Sequence, residues 1–191
     1  MGKLVCYKIC WSQQFYMKFI LSLKPWMLFS LVIGPFFLAN AFPEVMLIQS
    51  APTFIFAWWI FAIGKYGYQK ALALGLKVGN IMFFSINICL VPILFLVLGL
   101  AIEKERHLGH WLNSEILPLV MIPLSLYMVF AMVQTGIFAS KAIAILEYRR
   151  KVGFSDYSGN YFLMLCFAIG VWVLQPKITR LIIEENTRNE W

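Results

Sequence analysis

Charge is what this chain has least of: 13% of its 191 residues are charged and 61% are hydrophobic, where an ordinary globular domain carries about 25% charge. That shortage excludes a fold wetted over its whole surface. Histidine is scarcer still, because His107 and His110 are the only two and both stand in one short polar stretch. A histidine base for a nucleophile buried in an apolar run therefore has no source. The chain also lacks a Gly-rich phosphate loop, a His-Glu-x-x-His helix, a Gly-x-Ser-x-Gly elbow and paired aspartates within its apolar runs. Without a catalytic constellation the expected protein is not an enzyme and carries no cofactor. Four cysteines make no disulfide framework, since Cys6 and Cys10 lie in a basic segment and Cys89 and Cys166 in apolar ones. Repeats with a period of about 20 to 50 residues are absent, and no inverted halves are recognisable.

What the chain does have is long apolar runs. The first, Trp26 to Ile48, has 23 residues, and at about 1.5 Å per residue it reaches roughly 34 Å, enough for a hydrocarbon core of about 30 Å. It contains Pro35, which predicts a kink. Ser50 as a cap and Pro52 in a first turn then open a second run, 52–68, with Tyr66 and Tyr68 as interfacial anchors. The alternative puts the turn between these runs at Asn40 to Glu44. A third run covers 78–102 and a fourth 116–138, separated by the charged loop Glu103 to Glu115. Residues 139–151 predict a helical continuation ending near Gly153, a candidate left-handed cap. The last apolar segment, Tyr161 to Leu174, has 14 residues, which is short for a crossing and suits a re-entrant or interfacial helix. The expected fold class is an all-α integral membrane protein with a bundle of four transmembrane helices plus that short C-terminal piece, five spans being the alternative.

The net charge of +7 could suit nucleic acid, but the basic residues sit in the gaps between apolar runs rather than on one face. Eleven of them flank the runs on one side, namely Lys3, Lys8, Lys18, Lys24, Lys65, Lys70, Lys77, Lys141, Arg149, Arg150 and Lys151, against Lys104 and Arg106 on the other. The bias orients residues 1–25 and the segment 139–191 toward the cytoplasm, so both termini are expected inside a cell membrane. The lipid bilayer, other membrane proteins or further copies are the expected partners, and nucleic acid is not.

Two processing signals are present in outline only. Ala39-Asn40-Ala41 has signal-peptidase spacing, yet the basic region before it is too long and the apolar run continues past it. Met1-Gly2 lacks the Ser or Thr that myristoylation expects at the sixth position. Met17-Lys18 ahead of an apolar run also resembles a start, so residues 1–16 need not matter.

Few polar residues remain as candidates for chemistry. Glu103, His107 and His110 are four and three apart, so one helix face would align them, and imidazole with carboxylate suits zinc. The sequence shows no further ligand, and a solvated loop is the plainer account. Within the runs stand Glu44, Asn80, Asn87 and Gln134. An intramembrane carboxylate is by default a functional candidate, though Glu44 is near the outer end and within reach of headgroups. Asn80 and Asn87, seven apart, share a stripe; they suit hydrogen bonds between helices better than a solute path.

The tail Phe154-Ser155-Asp156-Tyr157 followed by Gly170-Val171-Trp172-Val173-Leu174-Gln175-Pro176-Lys177-Ile178 resembles that of uncharacterised small bacterial multi-pass membrane proteins, with a Gly-x-Trp-x-x-Gln-Pro-Arg/Lys-Ile pattern. The resemblance covers the last 40 residues or so and implies no catalytic residue. It singles out the Gln175-Pro176-Lys177 corner. Pro176 is expected to end the apolar segment there, leaving Lys177 and Arg180 as membrane-surface bases for anionic headgroups. The function most consistent with these residues is a non-catalytic accessory or scaffold subunit of a membrane complex, with a small oligomeric transporter or channel as the alternative.

Overall fold

A computed structural model describes residues 19–41, 46–108 and 116–188, and every regular element among them is helical. A helical stretch over 19–22 leads into α1 (Pro25–Ala41), followed by α2 (Met46–Ala73), α3 (Ile81–Leu108), α4 (Ile116–Tyr148), α5 (Phe154–Leu165) and α6 (Phe167–Arg188). Glu44 and His110 fall outside the described residues.

The boundaries follow local chemistry. Pro25 opens α1, where its missing N–H costs nothing, and the Lys24 carbonyl accepts from the amides of Met27 and Leu28 at 3.0 and 3.2 Å. Residues 46–48, expected in the first run, belong to α2, while α1 ends at Ala41. Ser50 and Pro52 consequently lie inside α2 rather than capping it. At its far end Gly75 takes φ +69°, with Leu76 N–H bonded to Ala71 C=O at 2.8 Å and Gly75 N–H to Leu72 C=O at 3.0 Å. These are the two bonds of a Schellman cap, and the left-handed residue is the one without a Cβ. Asn80 caps α3, its Oδ1 accepting from the amides of Met82 and Phe83 at 3.0 and 3.3 Å.

Three expectations are corrected. Residues 103–108 continue α3 instead of forming a loop. The left-handed residue after α4 is Arg149, at φ 51°, whereas Gly153 has φ −90° and precedes α5. There Gly153 N–H donates to Asp156 Oδ2 at 2.9 Å, and Arg150 reaches the other carboxylate oxygen at 3.2 Å. Pro176 does not end the last apolar segment, because it lies inside α6. The break comes ten residues earlier, at Cys166.

That break folds α5 and α6 against each other. A Cβ added at Gly170 would stand 1.7 Å from the Leu163 carbonyl oxygen, so the first turn of α6 lies directly on the last turn of α5. Lys177 Nζ donates to Asn160 Oδ1 at 3.1 Å, although a continuous helix would separate these residues by about 26 Å. The two helices form a closed hairpin.

α2 and α4 make the centre of the bundle, with α3 on one side and the α5–α6 hairpin on the other, where α6 also meets α1. Close approach comes from small residues: a Cβ at Gly67 would lie 2.6 Å from that of Ala142, and Ala139, Ser140, Ala142 and Ala144 are fully buried. Trp59 and Phe84 fill the larger spaces, with Phe84 stacked on Phe138 at 4.3 Å between centroids. By contrast, the N-terminal half of α4 exposes Leu119, Val120, Ile122, Leu126, Val129 and Phe130, and α3 exposes Met82, Phe83, Ile86, Ile93 and Val97. Two helices, over Ile81–Leu100 and Leu119–Tyr148, are long and apolar enough to cross a membrane.

Candidate functional site

Three polar knots hold the described bundle together. The first joins α3 to α4: Asn87 Nδ2 donates to Gln134 Oε1 at 3.0 Å, and the Tyr127 hydroxyl donates to Asn87 Oδ1 at 2.9 Å. Asn87 is buried, and both ends of its amide are used. Tyr127 and Gln134 are seven apart on α4, two turns along one face, so that spacing was available in the sequence. Asn80 takes no part in this knot because its carbonyl oxygen caps α3.

The second knot centres on Gln175, which is fully buried. Its Oε1 accepts from the Trp59 indole N–H at 2.9 Å, and its Nε2 donates to the carbonyls of Leu21 at 2.8 Å, Leu23 at 3.0 Å and Ile20 at 3.3 Å. These carbonyls terminate the helical stretch that ends at residue 22, where intrahelical partners have run out. Thr179 adds a bond from its hydroxyl to Leu21 C=O at 3.2 Å. One side chain of α6 thus closes a helix end 152 to 155 residues earlier in the chain and ties both to α2.

The third knot centres on Lys177. Its ammonium lies 2.8 Å from Glu147 Oε2 and 3.1 Å from Asn160 Oδ1, with the Lys and Glu side chains each 31% exposed. It joins α6 to α4 and α5. Glu147 was legible as the one acid between Lys141 and Lys151, but nothing in the sequence pairs it with a residue 30 positions on. Arg180 is exposed and makes no ion pair among the described residues.

Glu103 and His107 belong to the backbone of α3, and His110, the third of the sequence-derived trio, lies outside the described residues. No group of three His, Cys, Asp or Glu side chains that would hold a metal occurs among the described residues. The described residues line at least two hollows. One of about 380 Å³ lies between residues 22–25 and α6. The other, about 90 Å³ and mostly apolar, lies where Met164 and Leu165 of the hairpin approach Thr53, Thr135 and Gly136. No family model, curated protein or solved structure matches this chain.

Proposed function

We propose that the chain is a multi-pass membrane protein, with α1 to α4 crossing the bilayer and α5–α6 re-entering from the cytoplasmic side, and that it serves as a non-catalytic accessory or scaffold subunit. Exposure of α3 and α4 supports insertion, because the apolar windows of these helices are only 28% and 17% buried, while a soluble core helix of that composition would be mostly covered. The hairpin supports re-entry: Asn160 and Lys177 meet, so both arms begin and end on one side. From Cys166 to Lys177 is about 17 Å of helix, roughly half the hydrocarbon thickness. The basic segments around Lys65, Lys141 and Arg149 to Lys151 share that side and favour the cytoplasm. The likeness of the stretch from Gly170 to Ile178 to small bacterial multi-pass proteins points the same way.

The observation that carries the scaffold reading is that among the described residues no buried side-chain nitrogen or oxygen lacks a hydrogen-bond partner. Asn87 and Gln175 spend the polar atoms of their amides on neighbouring helices and backbone, and Gln134 spends its oxygen on Asn87, which leaves little to offer a passing solute. Topology is tested by single cysteines at Asn113 and Glu184 in a background without the native four, labelled on intact cells with an impermeant thiol reagent. Labelling at 113 with protection at 184 is expected; labelling at 184 would mean a fifth crossing. For the function, protein reconstituted in vesicles should carry no ion or small-solute flux above empty vesicles, and should migrate in mild detergent with a stoichiometric protein partner. A flux lost in Asn87→Leu without loss of stability would favour the transporter instead.

A further inference from the structure

The hollow between residues 22–25 and α6 combines apolar and basic side chains. Its lining is mostly apolar, with Leu23, Pro25, Pro176 and Ile183, and includes two cations, Lys24 and Arg180. Both are exposed and neither makes an ion pair among the described residues, whereas Lys177, one turn before Arg180 on α6, is committed to Glu147. Glu184 is the single carboxylate on the lining, leaving a net positive balance. The two hydroxyls there are already donors, Ser22 to Phe19 C=O at 2.8 Å and Thr179 to Gln175 C=O at 2.9 Å, so hydrogen bonds to an anion must come from the two cations. The opening turn of α1 lies at the same place and adds its positive end.

We propose that this hollow is a binding site for the phosphate of an anionic phospholipid, held by Lys24 and Arg180, with the upper part of its acyl chains against Leu23, Pro25, Pro176 and Ile183. The volume, about 380 Å³, suits a headgroup and the first part of the chains rather than a whole lipid. The location suits the same source. α1 is a 17-residue apolar helix whose N-terminus opens onto the hollow, so a lipid lying alongside α1 would bring its phosphate to Lys24. Arg recognises phosphate through its planar fork and Lys as a point charge, and together they bridge the start of α1 and α6, which the Gln175 knot already holds in register. Bound lipid would therefore brace the hairpin against α1.

This rests on the membrane reading above, and the test separates the two. Full-length protein in mild detergent is mixed with phosphatidylglycerol, with phosphatidylcholine, or with inorganic phosphate at equal concentration, and thermal unfolding is followed. Phosphatidylglycerol should raise the midpoint more than phosphatidylcholine does, and inorganic phosphate should leave it unchanged. The lipid concentration giving half the shift should rise roughly fivefold in Lys24→Gln or Arg180→Gln and roughly 25-fold in the pair, taking about 1 kcal/mol per surface cation. Lys151→Gln, which also removes one exposed cation but away from the hollow, should change it little. Glu184→Gln should tighten binding. Equal shifts from the two lipids, a full shift from inorganic phosphate, or a pair variant that responds like the parent would each overturn the site. Carbonate extraction of the same variants decides the membrane reading separately, since protein that stays in the pellet remains inserted whether or not the lipid preference survives.

Discussion

Replacing Gln175 by Leu removes the amide and shortens the side chain by one atom without reducing its volume, so the loss is chiefly polar rather than a cavity. Four groups then lose a partner: the Trp59 indole N–H and the carbonyls of Ile20, Leu21 and Leu23. They are not equal. Leu21 keeps a share of the Thr179 hydroxyl, at 3.2 Å against 2.9 Å to Gln175 C=O, and the bond to Ile20 is the longest at 3.3 Å. Two orphans, Trp59 N–H and Leu23 C=O, carry the cost. An unsatisfied buried group costs about 1–3 kcal/mol, while hydrogen bonds measured inside membrane bundles average nearer 0.6 kcal/mol. Between these bounds we expect Gln175→Leu to lower stability by about 2–4 kcal/mol. The measurement is reversible unfolding in mixed micelles with increasing dodecyl sulfate, followed by far-ultraviolet circular dichroism.

A cycle with Trp59→Phe isolates the indole bond. In that background the donor is already gone, so Gln175→Leu should cost about 1 kcal/mol less than in the parent. Thr179→Val, which removes a secondary bond to Leu21, should cost under about 1 kcal/mol. A Gln175→Leu loss below about 0.5 kcal/mol, or additive behaviour with Trp59→Phe, would refute the claim that Gln175 is the tie between α6, α2 and the stretch before α1.

Gly170→Ala places a methyl 1.7 Å from the Leu163 carbonyl, which forces the hairpin apart; a loss of at least about 2 kcal/mol is expected in the same unfolding assay. Asn87→Leu should cost about 1 kcal/mol or less, because it leaves Gln134 and Tyr127 part-exposed enough to find other partners. Arg149→Gly should raise stability by about 0.5–1 kcal/mol, since φ 51° penalises a residue with a Cβ. Gly153→Ala, at φ −90° and with a Cβ meeting only Asp156 Oδ2 at an ordinary 4.0 Å, should stay within about 0.5 kcal/mol of the parent.

Much of the helical content was legible because apolar runs of 20 residues and more have few alternatives. Ends were less so. Ser50 and Pro52 have the chemistry of a helix start, yet α2 begins before them, since proline is tolerated inside helices whose freed carbonyls find other partners. Gly153 was the natural candidate for a left-handed cap, but its N–H is bound by Asp156 at the start of α5 and the reversal passes to Arg149. The polar knots divide the same way. Tyr127, Gln134 and Asn87 could be grouped from helical spacing and the expectation that amides pair across helices. Gln175 with Trp59, or Lys177 with Glu147, could not, because each contact joins elements whose relative placement is set by a break at Cys166 that carries no proline or glycine at the break itself.

Three neighbouring residues of the Gln175-Pro176-Lys177 corner point to three different parts of the molecule, and this explains why they stand together. Gln175 faces the interior and binds the chain before α1 together with α2. Lys177, two residues on and so about 200° around the helix, faces α4 and α5 through Glu147 and Asn160. Pro176, exposed between them, lines the hollow beside Lys24 and Pro25. A helix of fixed pitch can serve two opposed neighbours from adjacent turns only if it is wedged between them, which is where the folded-back hairpin puts α6. Without the sharp return at Cys166, the same three residues would run past the bundle and the contacts to residues 20–23 and to Glu147 could not form at once. The fold of the C-terminal segment and the tethering of the N-terminal one are therefore a single device. Perturbing Gly170 should accordingly weaken the Gln175 knot, even though no bond of that knot involves Gly170.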